Sequence, residues 1–298
     1  MNRIDFDFPP VASALGTRHS VNTRRGEAKA GPAPAVVLLL LLSVLPQTAL
    51  AGLAGEQVVS GSAQFDRQGD LTQVTVSDRA IIEYQQFDIW QDESVRFVQP
   101  SAASKVLNRI VAADQPSHIY GQLLANGQVY LLNPGGILFG PDSVVNVGGL
   151  VAAAGDLSNV DFLNGLDRFR GLDGTVLHQG RVESDGFVSM LGREVRNTGL
   201  ILAPEGMVAL AAGDEILLGE EGGHFFVSIS NPEAVDGTAG VENSGVIEAD
   251  GVFLGAGDLY SLAVRQTGII DAPDVAIEGG EGGRVEVAGQ IDARTPDE

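Results

Sequence analysis

Acidic side chains recur at one position of a repeat in the second half of the chain, three residues after a glycine. They are Glu183, Glu248, Asp271 and Asp292, and Leu202 is the exception. Neighbouring β-strands lie roughly 4.8 Å apart, so stacked carboxylates at Glu248, Asp271 and Asp292 would repel one another unless water or a cation separates them. The pattern therefore allows two interpretations, a solvated acidic stripe or a weak divalent-cation site.

The other residues with chemical potential do not form a recognisable site. His118, His178 and His224 are isolated, and no two of them have metal-ligand spacing, so we interpret them as surface or turn histidines. No serine stands in a Gly-x-Ser-x-Gly elbow. The glycine-rich segment 279–283 lacks the following Lys-Ser/Thr of a phosphate-binding loop, which predicts a turn. We expect no catalytic residues and no cofactor.

A glycine-centred repeat gives the first indication of the fold. Its glycines are Gly180, Gly199, Gly245, Gly268 and Gly289. The spacings are 19, 46, 23 and 21 residues, and we interpret 46 as two steps of 23. A period near 20 with β-type units and no helical period indicates a solenoid whose coils bury their apolar faces against one another. A leucine-rich repeat is not indicated, because the leucines and the asparagine that such repeats carry at fixed positions are missing. An antiparallel sandwich would not keep a constant repeat length over five units.

Two features of the repeat predict how a coil is built. The residues two positions after each glycine are apolar, and we expect Val182, Ile201, Ile247, Ile270 and Ile291 to form a buried ladder. The glycines would occupy tight corners with positive φ. A second element, Gly-x-Val, recurs at Gly186, Gly206 and Gly283. The predicted fold is all-β, a right-handed parallel β-helix of the single-stranded pectin-lyase-like type, with a short helix or an excursion in the loop 156–174.

The N-terminus has the organisation of a secretory signal. Basic residues precede an apolar run at 35–45, and Ala49 and Ala51 supply the small residues of a cleavage site before Gly52. This run of eleven residues, ten of them apolar, is too short for a bilayer span, which takes roughly 20. The long basic preface fits either an extended signal or a start codon placed too far upstream. We predict cleavage after Ala51, which makes residues 1–51 a signal peptide with an extended n-region.

Charge restricts the partners. Removal of residues 1–51 would leave 13 basic and 36 acidic residues, a net charge near −23, with Lys105 as the one lysine and no cysteine anywhere in the chain. Such a surface repels nucleic acid, so no nucleic-acid partner is expected. The absence of cysteine is compatible with passage through an oxidising periplasm.

One region between residues 56 and 170 resembles a known family. The matching motifs are Ile89-Trp90, Glu93–Ser101, Leu107–Ile110, Ser117–Gly121, Asn126–Val129, Asn133–Gly140, Val145–Ala152 and Asp161-Phe162. Their order and spacing are similar to the N-terminal two-partner secretion domain of filamentous haemagglutinin-type exoproteins. Gly135 replaces the usual Asn of the Asn-Pro-Asn-Gly corner, and the second motif, Asn-Pro-Asn-Leu, is absent, with Asn108-Arg109 in its role.

The resemblance implies a secreted or cell-surface exoprotein of a Gram-negative bacterium, adhesin- or haemagglutinin-like. Its partner would be a dedicated outer-membrane β-barrel transporter whose periplasmic domains capture the module, with a host-cell or surface receptor as a further partner. The implied domains are 52–175, the secretion domain, and 176–298, repeat coils continuous with it. The alternative is a β-helix polysaccharide-degrading enzyme or a carbohydrate-binding protein. Against an enzyme, Arg181, Arg193 and Arg196 are scattered and no carboxylates cluster beside them.

The motif residues fit two roles, transporter recognition or folding of the module. These residues are Asn108, Arg109, Asn133, Pro134, Gly135, Gly136 and Ile137. Proline fixes one φ, the glycines permit a reversal, and the Asn133 amide can satisfy backbone groups inside the turn. A corner needed only for folding and a corner that contacts the transporter both agree with this pattern.

Overall fold

The computed structural model describes residues 52–112, 114–221, 224–230, 235–257 and 260–293. The predicted signal peptide, including Ala49 and Ala51, lies outside the described residues. In the described part no helix is long and apolar enough to cross a membrane. Strands account for most of this part and one short helix interrupts them.

The strands follow one another in short segments. The first ten are β1 (Leu53–Ala54), β2 (Gln57–Ser60), β3 (Ala63–Gln68), β4 (Leu71–Val76), β5 (Ala80–Tyr84), β6 (Gln86–Phe87), β7 (Ser94–Val98), β8 (Lys105–Ile110), β9 (Ser117–Ile119) and β10 (Gln122–Ala125). The middle of the chain forms β11 (Gln128–Leu132), β12 (Ile137–Phe139), β13 (Val144–Val147), β14 (Gly149–Ala153), β15 (Asp156–Leu157), α1 (Asn159–Asn164), β16 (Asp167–Arg170), β17 (Thr175–His178), β18 (Arg181–Ser184), β19 (Val188–Gly192) and β20 (Glu194–Asn197). The last ten are β21 (Leu200–Ala212), β22 (Glu215–Glu221), β23 (His224–Ser230), β24 (Val235–Asn243), β25 (Val246–Ala256), β26 (Tyr260–Gln266), β27 (Ile269–Asp271), β28 (Asp274–Glu278), β29 (Arg284–Val287) and β30 (Gln290–Asp292).

Parallel pairing arranges these strands as a β-helix with three faces. Face 1 contains β4, β7, β10, β13, β18, β27, β30 and the first halves of β21 and β25. Face 2 contains β5, β8, β11, β14, β19, β28 and the second halves of β21 and β25. Face 3 contains β9, β12, β17, β20, β24, β26 and β29. The predicted all-β parallel β-helix is therefore confirmed, and so is a short helix in the loop 156–174.

The apolar ladder predicted from the repeat is present on face 1. Val182 pairs with Ile201, Ile201 with Ile247, Ile247 with Ile270 and Ile270 with Ile291. The first four side chains are fully buried, and Ile291 packs against the same core. Each coil thus covers the apolar surface of the coil before it, which is how a solenoid obtains a continuous core.

The repeat glycines occupy their positions for a different reason than predicted. None of Gly180, Gly199, Gly245, Gly268 and Gly289 has a positive φ, so that prediction is wrong. Instead, a Cβ on Gly268 would collide with the carbonyl oxygen of Gly245, and Gly289 stands in the same relation to Gly268. The coils approach each other too closely here for any side chain, and the next amide donates to the same carbonyl, as Ile269 does to Gly245 at 2.9 Å. Close backbone packing, not turn geometry, requires glycine.

The 46-residue spacing is one coil, not two. Ile201 pairs directly with Ile247, so the interpretation as two steps of 23 is wrong. The extra residues leave the β-helix as the hairpin β22–β23, which joins β15 and β16 in a separate four-stranded antiparallel sheet. This excursion sheet and α1 cover the outer side of face 2 with a second apolar cluster that includes Leu107, Tyr130 and Phe162. Face 2 is therefore buried on both sides where this sheet covers it, which explains continuous apolar runs such as 150–154. It is not buried on both sides at β28.

The prediction that Gly-x-Val marks one recurring element is confirmed at Gly186 and Gly206 and wrong at Gly283. Val188 and Val208 pair on face 2, and the third member of that row is Val252. Val285 instead pairs with Val264 on face 3, so Gly283 does not belong to this element.

The first coil is closed by antiparallel strands. The hairpin β3–β4 covers face 1, and β2 runs antiparallel to β5 on face 2. Such a cap satisfies backbone groups that an open β-helix end would leave free.

Candidate functional site

The Asn-Pro-Gly-Gly corner joins face 2 to face 3 between β11 and β12. Asn133 is 1% exposed, and its Oδ1 accepts the amide hydrogen of Gly135 at 2.9 Å. Its backbone oxygen accepts the amide hydrogen of Gly136, also at 2.9 Å. Pro134 and Gly135 are half-buried, whereas Gly136 and Ile137 are buried. The Asn side chain therefore closes the turn from inside, as the sequence predicts for a pinned corner.

Asn133 also ties together three consecutive coils. Its Nδ2 donates to the carbonyl oxygen of Gln115 and to Ser117 Oγ, both at 3.1 Å, and both belong to the preceding coil. Its backbone amide donates to Ala153 O at 3.0 Å in the following coil. The donors and the acceptor of this carboxamide are all used within the domain, so the contacts are those of a structural residue.

The two glycines of the corner are not equivalent. Gly136 has a φ of 108°, and a Cβ there would lie 2.9 Å from the carbonyl oxygen of Thr175. Gly135 has no positive φ. The position where this chain departs from the usual Asn-Pro-Asn-Gly pattern is thus the one with ordinary backbone geometry, and the glycine that the turn requires is retained.

Asn108 lies inside the β-helix on β8. It is fully buried, its Oδ1 accepts the hydroxyl of Tyr84 at 3.1 Å, and its Nδ2 donates to Tyr130 O at 3.2 Å. Burial raises the pKa of Tyr84 well above its ordinary value, which keeps the phenol protonated as a donor. Asn108 therefore links the coils on either side of it.

Arg109, the next residue, points outward and holds the segment that begins α1. Its guanidinium contacts Asp156 Oδ1 at 2.7 Å and Glu83 Oε1 at 3.3 Å. It also donates to Asn159 Oδ1 at 2.7 Å and to the carbonyl of Leu157. With 11% of its side chain exposed, the half-buried Arg109 connects face 2 to the segment that carries β15 and α1.

A second arginine fixes the other end of the same helix. Arg79 Nη1 donates to the carbonyl oxygens of Leu163 at 2.8 Å and Phe162 at 3.2 Å. Phe162 O also accepts the amide hydrogen of the cap residue Gly165 at 3.1 Å, whereas Leu163 O is one of the last carbonyls, which a helix C-terminus leaves without intrahelical partners. A cation suits that end of the helix dipole. Arg79 and Arg109 together attach α1 to the β-helix.

A buried polar ladder on face 3 was missed by the sequence analysis. Its members stand two residues before the repeat glycines: His178, Asn197, Asn243 and Gln266. Each contact is 2.7 Å: His178 Nδ1 with Asn197 Oδ1, Asn197 Nδ2 to Asn243 Oδ1, and Asn243 Nδ2 to Gln266 Oε1. The recurrence of amide residues at this position was the available signal.

His178 is therefore not a surface or turn residue, and that interpretation is wrong. It is fully buried, and its Nε2 has no hydrogen-bond partner. Burial lowers the pKa of His178 to about 4, against the raising effect of the Asn197 hydrogen bond. The imidazole is neutral at ordinary pH and serves as the first rung of the ladder.

The acidic positions stack as the repeat predicts, but without the geometry of a metal site. Glu248 pairs with Asp271, and Asp271 with Asp292, in adjacent strands of face 1. Glu248 and Asp271 are exposed. Among the described residues, no group of three or more His, Asp or Glu side chains is placed to hold a metal ion.

Comparisons with known proteins agree on one family. The model of the family described as TPS secretion domain matches residues 46–291. A heme/hemopexin-binding protein of Haemophilus influenzae is 32% identical over 216 residues, which cover 68% of this chain and 23% of that protein. A second protein of that name from the same species is 40% identical over 84 residues, 28% of this chain and 9% of its own. The chain thus spans less than a quarter of the length of these relatives.

Two solved structures have the same fold. The secretion domain of HMW1 from Haemophilus influenzae superposes with a TM-score of 0.70 at 30% identity, over 80% of this chain and 66% of that one. The filamentous hemagglutinin secretion domain superposes with a TM-score of 0.55 at 17% identity, over 81% of this chain and 97% of that one. The second likeness concerns the fold alone.

Proposed function

Because this chain belongs to the TPS secretion domain family, we propose that it is the secretion module of a two-partner exoprotein, recognised by a dedicated outer-membrane transporter. The observation that carries the proposal is the family match over 46–291, which takes in the cap, the Asn133 corner and most of the later coils. In this route a signal peptide leads the chain across the inner membrane. Periplasmic domains of the transporter then capture the module, and the protein reaches the cell surface or the medium of a Gram-negative bacterium.

In this proposal Asn108, Arg109 and the corner 133–137 act by shaping the module. The support is that their polar groups are directed at the domain's own backbone and side chains. The transporter would then read the folded or folding edge of the module, for which strand addition to its periplasmic domains is a suitable mode. The division into a secretion domain, 52–175, and further coils, 176–298, stays a prediction.

For the whole exoprotein we propose an adhesin- or haemagglutinin-like role, with a host-cell or surface receptor as its target. The support is the resemblance of the motifs between 56 and 170 to filamentous haemagglutinin-type exoproteins. We propose no enzymatic role, since the relatives that match are named as binding proteins and secretion domains. None of the contacts described above favours the polysaccharide-degrading or carbohydrate-binding alternative.

Transporter-dependent export tests the proposal. The full chain is expressed in a Gram-negative host with and without the transporter encoded by its native organism, and the protein in the medium is quantified. We expect release into the medium only with the transporter. The barrel transporter of an unrelated exoprotein serves as the control. Equal release without a transporter, with the native transporter and with the unrelated one would contradict the proposal. Lyase activity of the purified chain on acidic polysaccharides would contradict it too.

A further inference from the structure

Gly52, the residue after the predicted cleavage position, is built into the first coil. It is buried, its carbonyl oxygen accepts the amide hydrogen of Asp88 at 2.8 Å, and the chain continues directly into β1, where Leu53 pairs with Phe87. A Cβ on Gly52 would lie 2.6 Å from the carbonyl oxygen of Asp88. Only glycine fits here, although neither its φ nor a turn demands it.

A carboxylate is aimed at the nitrogen of Gly52. Glu93 Oε2 lies 3.4 Å from Gly52 N and accepts the amide hydrogen of Trp90 at 3.0 Å. The Glu93 amide donates to Trp90 O at 2.9 Å, and its carbonyl oxygen accepts from Gln122 N at 2.9 Å. Its backbone is therefore fixed by the neighbouring coil and its side chain by its own turn, so the carboxylate is oriented in advance.

We propose that Glu93 is the binding site for the α-ammonium group that signal-peptide removal creates at Gly52, so that processing completes the first coil. The inference rests on the signal peptide of the proposed function. Hydrolysis of the Ala51–Gly52 peptide bond by water, catalysed by a signal peptidase, leaves a carboxylate on Ala51 and an amine on Gly52. The amine takes up a proton from solvent and pairs with Glu93.

The charge created by cleavage changes the strength of this contact. Before cleavage Gly52 N is a neutral amide with one hydrogen, and its 3.4 Å contact with Glu93 is long for a hydrogen bond. Afterwards it is a cation with three donors, and charge-assisted pairs are shorter and about twice as strong as neutral ones. Glu93 is half-buried, so the ammonium is only partly desolvated and the attraction of the carboxylate determines the direction of the shift.

Glu93 thereby has a role beyond its place in the family motif. Glu93 begins the Glu-Ser-Val segment on which the resemblance partly depends, and Ser94 and Val95 are the first residues of β7. The same carboxylate closes the turn at Trp90 and receives the new N-terminus. The domain thus contains a binding site for the N-terminal ammonium group that cleavage creates.

Titration of the α-amino group tests the proposal on purified protein, independently of export. Chains that begin at Gly52 and at Ala51 are released from a tag without extra residues, and the amine of each is titrated by NMR or by pH-dependent acylation. Ordinary α-amino groups have pKa values near 7.7–8.0. We expect the Gly52 amine to titrate about one unit higher, the Ala51 amine to titrate normally, and the Gly52 chain to melt at the higher temperature below that pKa.

Two variants separate the pair from a general effect of acidic charge. Glu93→Gln keeps an acceptor for Trp90 and should return the Gly52 amine to its ordinary pKa, whereas Asp92→Asn removes an exposed neighbouring carboxylate and should leave the raised value. An ordinary pKa in the parent Gly52 chain overturns the proposal whether or not Glu93→Gln folds. The proposal is also overturned if the pKa of the Gly52 amine is the same in Glu93→Gln and Asp92→Asn. A secreted protein whose first residue is not Gly52 overturns it as well. Loss of export alone would instead count against the proposed function.

Discussion

Asn197 donates a 2.7 Å hydrogen bond to the side chain of Asn243, although 46 residues separate them in the chain. The two carboxamides are fully buried on adjacent strands of face 3, and the contact continues to His178 on one side and Gln266 on the other. Asn197 and Asn243 each donate and accept within the ladder, so each of these two rungs depends on its neighbours. Buried networks of this kind are costly to break because the remaining partners cannot reach water.

Replacement of Asn243 by alanine should be strongly destabilising. It leaves Asn197 Nδ2 and Gln266 Oε1 without their partners, and each unsatisfied buried group costs about 1–3 kcal/mol. We expect the free energy of unfolding, measured in urea by circular dichroism, to fall by roughly 2–5 kcal/mol. Asn146→Ala, which removes an exposed hydrogen bond to Glu183, should change it by less than about 0.5 kcal/mol. Similar losses in the two variants would contradict the ladder's importance.

Acid should destabilise the domain through His178. Its folded pKa is lowered to about 4, below the value near 6.5 of an unfolded chain. The unfolded state therefore binds the proton first, and stability present above about pH 6.5 is lost as the pH falls towards 4, by up to about 3 kcal/mol. His178→Gln should flatten the dependence of the melting temperature on pH across this window. Asn146→Ala, at an exposed position that carries no titratable group, should keep the parental slope, and equal slopes in all three proteins would refute the assignment.

Arg109 should control the attachment of α1. Arg109→Gln removes the contacts with Asp156 and Glu83 from a largely buried side chain, and we expect a loss of about 1–3 kcal/mol. Arg109→Lys should recover only part of it, because an ammonium cannot reproduce the guanidinium fork. Hydrogen exchange should accelerate first in residues 156–170. Arg96→Gln, at an exposed position on face 1, is the control, and uniform acceleration over all coils would argue against a local clamp.

The corner glycines should respond differently to substitution. Gly135→Asn restores the usual family residue at a position without positive φ, so folding and export should be retained. Gly136→Asn places a side chain at φ 108° and 2.9 Å from Thr175 O, and should lower the melting temperature and export together. Purified stability and transporter-dependent release are measured on the same two variants. Normal stability with lost export for Gly135→Asn would instead indicate direct contact with the transporter.

The repeat predicted the coils well because its signal has a direct physical cause. Val182, Ile201 and Ile247 must be apolar wherever a coil is covered by the next, so their spacing reveals the stacking. The same spacing could not reveal the excursion β22–β23, because its strands have the composition of coil strands and 46 happens to be twice 23. The stacked apolar positions of the coils were therefore predictable, but the path of the chain between Ile201 and Ile247 was not.

The polar part of the candidate site was only partly predictable. An Asn-Pro-Gly-Gly sequence fixes a corner by local geometry, and the structure has a corner there. That Arg109 clamps a helix some 50 residues later depends on tertiary placement, which local sequence does not encode. The buried ladder of Asn197 and Asn243 was not predicted, because a carboxamide suits a turn as well as a buried position.

In a chain that folds from its N-terminus, the excursion sheet can be completed only late. A coil of the β-helix pairs with the coils directly before and after it, whereas β16 finds its partner β22 some 45 residues downstream. Until Ile216 arrives, Phe169 has Leu157 on one side and no strand on the other, and the outer side of face 2 stays partly uncovered. A nascent chain that stops near residue 200 would consequently have stacked coils whose face 2 is partly exposed to water. The hairpin β22–β23 would cover that surface once it is delivered.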